Sequence, residues 1–150
     1  MTGHWSDMPA DGEGAAPSEP PPAPLAVLAR QLSAVSPAWA AATVEPDDAP
    51  PLADDPLLGR DRQQGFEAIR EGWLMHRGVS RLATAATPDL ALLVGDWCYA
   101  AGLGTIADHG SLDDVAKLAE LVADVATRCD EPVEDLEARW ATTAEELQRG

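Results

Sequence analysis

Residues 88–110 read PDLALLVGDWCYAAGLGTIADHG, and the choice of fold class turns on them. From Pro88 to Ala107 the residues are apolar almost all round, with no period-2 alternation and no break, which predicts a helix in the middle of a helical bundle. Ala91, Gly95, Cys98 and Gly102 recur at i, i+4, i+7 and i+11. They form a stripe of small side chains along which a neighbouring backbone can approach closely. Leu92, Tyr99, Leu103 and Ile106 form a bulkier stripe beside it. The apolar run Leu90–Ala107 is about the minimum length for crossing a bilayer. It contains Asp96 and three glycines and has acidic flanks, so a buried core helix is the expectation and no transmembrane segment is assigned.

Four more helical segments flank this one. Downstream, Ser111-Leu-Asp-Asp114 fits a capping box, and Leu112, Val115, Leu118, Val122 and Val125 mark the buried side of a helix over 111–127. A last helix over 132–148 carries Val133, Leu136, Trp140 and Leu147 at 3–4 spacing, with Glu131, Glu134 and Asp135 near its positive end. It is marginal alone in water, so Trp140 is expected to dock on this chain or on a partner. Upstream, Asp55-Pro56 reads as a helix start, and Leu58, Phe66, Ile69 and Trp73 mark the apolar side of a helix over 56–76. Gly59, Gly65 and Gly72 each weaken it by about 1 kcal/mol relative to Ala, so it depends on tertiary packing. A short polar helical stretch, Ser80–Thr87, leads on to Pro88. The first helix covers 25–43, with Leu25, Leu28, Leu32 and Val35 on one face and Pro37 ending or kinking it. The predicted class is all-α: five helices over 25–43, 56–76, 88–107, 111–127 and 132–148.

Eleven of the thirteen prolines fall in residues 1–56. Residues 1–24, ending SEPPPAP, mix Pro, Gly, Ser and acids and are expected to be a disordered, acidic tail; the PPPAP run could also serve as a polyproline ligand. Residues 25–55 then form a short helix plus linker, and 56–150 the helical domain. The opening MTGHWSDMPADGEG has no basic region before an apolar run, so no secretory signal is read there and the expected location is cytoplasmic. Ten Lys and Arg against 26 Asp and Glu give a net charge of −16. That balance repels phosphate backbones and anionic lipid, which argues against nucleic-acid partners. Residues 56–110 are the nearly balanced part, with Arg60, Arg62, Arg70, Arg77 and Arg81 as their cations. These guanidinium groups could grip a diphosphate, Arg77 foremost and Arg81 with it, or simply balance Asp61, Glu67 and Glu71 at helical spacing. Cys98 and Cys129 lack CxxC or His-pair neighbours and read as buried or half-buried thiols. His76 and His109 lack a helix-spaced His or Cys, so no metal site is assigned.

Arg77-Gly78-Val79-Ser80, followed by Leu92-Leu93-Val94-Gly95-Asp96-Trp97 with Ala100 beyond it, resembles part of a trans-polyprenyl diphosphate synthase of the class I isoprenoid synthase fold. The resemblance covers about residues 75–128, with Leu112–Ala126 similar to the family's following helix in length and rhythm. Family chemistry uses magnesium held by two DDxxD-type motifs to ionise an allylic diphosphate. Here Asp47-Asp48, Asp54-Asp55 and Asp113-Asp114 each lack a carboxylate three residues beyond the pair. The resemblance therefore implies a non-catalytic partner or regulatory subunit of a catalytic prenyl synthase, with no catalytic residue of its own and magnesium only if a partner supplies the aspartate-rich motifs. Arg77 and Arg81 remain the diphosphate-contact candidates, and Ala91, Gly95, Asp96, Cys98, Gly102 and Trp140 the helix-packing residues. Asp96, a carboxylate on an apolar helix, is expected to find an Arg or hydroxyl partner. Two other readings stand beside this one. The chain could be an acidic interaction module unrelated to prenyl chemistry, or a prenyltransferase active only through a composite site; a homo-oligomer is a further alternative to a foreign partner.

Overall fold

The structure, a computed structural model, describes residues 23–44, 59–83 and 86–149. Among them run α1 (Pro24–Val35), α2 (Pro37–Ala42), α3 (Arg60–His76), α4 (Pro88–His109), α5 (Leu112–Thr127) and α6 (Val133–Arg149), and no strand. The all-α class is as expected. The tail up to residue 22, the linker over 45–58 and the Asp55-Pro56 helix start lie outside the described residues.

Three local predictions change. The helix over 25–43 is two helices, because the residue before a proline is driven to extended backbone. Ser36 sits at φ −163° and ψ 161°, and its hydroxyl accepts the Trp39 N–H to cap α2. The arginine-rich helix begins at Arg60, behind Gly59 at φ 80°. The polar stretch after α3 is not helical over 80–83. There the Arg81 and Leu82 N–H groups donate to the Glu71 carboxylate, and the Leu82 and Ala83 N–H groups to the Ser80 hydroxyl, so side chains take the donors a helix would have used. α3 closes on Gly78 at φ 73°, with Val79 N–H reaching Leu74 O and Gly78 N–H reaching Met75 O, a Schellman turn that needs glycine's left-handed backbone.

The central helix is α3, not α4. Gly65–Ile69 and Glu71–Met75 are all buried, whereas α4 buries only Val94, Gly95, Cys98, Gly102 and Ile106. On one side of α3, Phe66, Ile69 and Trp73 join Leu118, Leu121 and Val125 of α5 and Leu136, Trp140 and Leu147 of α6. On the other, Ala68 and Met75 join Leu25, Leu28 and Leu32 of α1, Trp39 of α2 and Val94 and Cys98 of α4. The expected buried side of α5 holds at Leu118 and Val125, with Val115 and Val122 half-buried against the same core; Leu121 is interior as well, and Leu112 is 89% exposed. Leu112 occupies the first helical position, ahead of the residues that meet α3. The capping box forms as read, with Ser111 and Asp114 exchanging side-chain-to-backbone hydrogen bonds.

Candidate functional site

Helices α3 and α4 run antiparallel along a seam of glycines. A Cβ on Gly65 would lie 2.9 Å from the Gly102 carbonyl oxygen, and one on Gly72 would lie 2.8 Å from that of Gly95. Reciprocally, Gly102 would meet the Gly65 carbonyl at 2.6 Å, and Gly95 would meet His76 Cδ2 at 2.5 Å. The small-residue stripe therefore accepts α3 of the same chain, and its capacity for close approach is filled internally. Cys98 is buried within it; Ala91, one turn further, is half-buried. Burial, and secondarily the charge of Glu71, pushes the Cys98 thiol up to about 12. Cys129 is exposed, contrary to the expectation of a covered thiol, because it sits in the turn between α5 and α6.

Arg81 reaches into the molecule. Its Nε donates to Glu71 at 2.8 Å and its Nη2 to Glu67 at 3.3 Å, and both carboxylates are fully buried. Glu71 also accepts from the Ser80 hydroxyl at 2.7 Å. Arg70 joins Glu67 to Glu137 of α6, the latter at 2.7 Å, and Arg62 pairs with Asp114 at 3.0 Å and donates to Leu147 O. The arginines are thus balanced largely across helices instead of at helical spacing. Arg77 donates to the Glu131 carbonyl in the α5–α6 turn and lies over Trp73 at 5.9 Å; its Nη1 is buried without an acceptor. Both diphosphate-contact candidates are therefore engaged in holding elements together. Trp140 docks within the chain, 5.9 Å from Phe66 and 5.2 Å from Trp73 by ring centroids.

Asp96 has a partner of a different kind from the one expected. Its carboxylate lies 3.0 Å from His76 Nε2, and its side chain is 71% exposed on the outer face of α4. The His76 ring stands edge-on to Tyr99, whose phenol is pushed upward by burial first and by the Asp96 charge second. Around Asp96 the outer face exposes apolar and acidic side chains together: Leu92 and Leu93 are 50% and 58% exposed, Ala100, Gly104 and Ala107 are also exposed, and so are Asp89 and Asp108. α4 is the one helix among the described residues long and apolar enough to cross a membrane, judged by length and composition.

The described residues do not fit a magnesium cluster. No three His, Cys, Asp or Glu side chains among them converge on a common point. Asp113 holds Lys117 at 2.9 Å, while Asp114 caps α5 and pairs with Arg62, so this Asp-Asp pair leaves no two carboxylates to bridge metals. Asp47-Asp48 and Asp54-Asp55 lie outside the described residues. No family model matches the chain, and neither a curated protein nor a solved structure shows significant similarity to it.

Proposed function

We propose that this chain is a non-catalytic helical partner of a catalytic polyprenyl diphosphate synthase subunit, working in the cytoplasm and contributing a packing surface that sets product length or stability. The observation that carries this reading is the uncovered apolar face of α4, where Leu92 and Leu93 stand out beside Ala100, Gly104 and Ala107. An exposed apolar patch on an otherwise strongly acidic chain is costly in water and is the usual mark of an interaction surface. Asp96 in the middle of that face favours a protein partner over lipid, because a carboxylate entering hydrocarbon costs several kcal/mol while a partner's cation can pair with it. The engagement of Arg77 and Arg81 inside the fold supports the assignment of shape over chemistry. The internal use of the glycine stripe moves the proposed contact to the opposite side of α4.

Co-purification from the producing organism tests the reading. A DDxxD-bearing synthase should accompany the wild-type chain and be lost with Leu93→Asp; recovery of no such protein, or equal recovery with the variant, counts against it. A second reading has its own observation. Glu120, Asp130, Glu131, Glu134 and Asp135 are all exposed on α5, α6 and their connection, as an acidic module for a basic partner would require. Binding that weakens steeply with salt and survives Leu93→Asp selects this second reading.

A further inference from the structure

Helix α4 carries one spacing on two of its sides. On the inner side Ala91, Gly95, Cys98 and Gly102 follow one another by four, three and four residues, and α3 lies against Gly95, Cys98 and Gly102. On the outer side Asp89, Leu93, Asp96, Ala100, Leu103 and Ala107 follow by four, three, four, three and four. Leu103 is half-buried and the other five are exposed, so no described helix covers them. The alternation averages about 3.5 residues, the interval at which one helix seats along another in a continuous seam. At 1.5 Å per residue the outer seam runs about 27 Å, most of the length of α4. Gly104 lies beside it, and a Cβ there would meet nothing within 4 Å, which leaves room for a backbone to come close.

The acids in the seam define what can cover it. Asp96 stands at its middle, with one carboxylate oxygen 3.0 Å from His76 Nε2 and the side chain 71% exposed. Covering a carboxylate without a compensating charge is costly, so the occupant must bring a cation to it. Segments of this chain outside the described residues cannot do so. Residues 1–22 carry Asp7, Asp11, Glu13 and Glu19, residues 45–58 carry Glu45, Asp47, Asp48, Asp54 and Asp55, and neither segment holds a Lys or Arg. A second copy would bring the same seam acids and the same net charge of −16, so the two would repel.

From these we infer that the outer seam of α4 docks one amphipathic helix of another protein, apolar along the same 3–4 repeat and carrying a Lys or Arg opposite Asp96. The inference rests on the proposed use of this face for a partner and adds the chemistry of the partner's docking element.

The probe is a synthetic peptide of roughly 20 residues, about three heptads, with Leu at its seam positions, one central Lys among them, and Ala and Gln elsewhere. A control peptide has Glu in place of that Lys. Titrated into the full, ¹⁵N-labelled chain at neutral pH, the Lys peptide should give saturable amide shifts centred on Leu93, Asp96, Ala100 and Gly104. The Glu peptide should bind at least about tenfold more weakly, and Asp96→Asn should weaken the Lys peptide by about the same factor. Gly104→Leu, at an open position, should abolish binding with helix content unchanged. No saturable shifts with the Lys peptide, shifts centred instead on α5 and α6, equal affinity for the two peptides, or unchanged affinity in Asp96→Asn would each overturn the inference. Co-purification separates it from the wider reading. A synthase retained by Asp96→Asn but lost with Leu93→Asp overturns the inference alone, whereas Lys-peptide binding on the seam with no synthase recovered supports it and sinks the synthase assignment.

Discussion

Glu71 has no solvent exposure and accepts four hydrogen bonds, from the Ser80 hydroxyl, the Arg81 and Leu82 backbone and the Arg81 guanidinium. Removing one member of a buried, hydrogen-bonded ion pair leaves the other desolvated and alone, which typically costs about 3–5 kcal/mol. Glu71→Ala and Arg81→Ala should each lower unfolding free energy on that scale in urea titrations, and the double variant should lose far less than their sum. That the arginines balance Glu67 and Glu71 was legible in the sequence, but at helical spacing; the burial of both carboxylates, and a pairing ten and fourteen residues apart that crosses a turn, were not. The Ser111–Asp114 capping box was legible because its partners are three residues apart and its geometry is local. Cys98 makes a second residue-scale prediction. Its thiol pKa is raised from 9.0 to about 12 in the folded state, so the unfolded chain releases its proton first as pH rises. The associated stability is therefore complete below pH 9 and is lost progressively between pH 9 and 12. Cys98→Ala should flatten that decline, and a thiol reagent should modify Cys129 promptly but Cys98 only on unfolding.

Among the elements, the α3–α4 pair carries the clearest contrast. A Cβ on Gly104 would meet nothing within 4 Å, while one on Gly102 would face the Gly65 carbonyl at 2.6 Å. Gly104→Ala should stabilise the chain by about 1 kcal/mol through helix propensity alone. Gly102→Ala gains the same propensity yet must push two backbones apart, and should destabilise by about 1–3 kcal/mol net. Denaturant midpoints moving in opposite directions would confirm the seam; a stabilised Gly102→Ala would refute it. The stripe of small residues was visible in the sequence, but its occupant was not. Apolar composition placed α4 at the centre, whereas α3, with its glycines and carboxylates, holds that position. A helix can be central when its charges pair inside the fold, and glycine contacts cover little side-chain surface, which leaves the far side of α4 bare.

For the whole molecule, the consequence is an acidic bundle that exposes Leu92 and Leu93 on the outer side of α4. Leu93→Asp lies at an exposed position and should change stability by no more than about 0.5 kcal/mol, while removing the partner binding that we propose. Charge and helix class were readable from the sequence because they follow from composition and period. The exposure of Leu92 and Leu93 was not, since it depends on which helix wins the interior. On the proposed reading, this chain supplies shape to a prenyl synthase and no metal chemistry of its own. Product analysis with magnesium and an allylic diphosphate decides the matter, using the purified chain alone, the catalytic subunit alone and the two together. The expected result is no turnover by the chain alone and a product-length distribution for the pair that differs from the catalytic subunit's and reverts with Leu93→Asp. Magnesium-dependent turnover by the chain alone, or an unchanged distribution on adding it, would refute that reading.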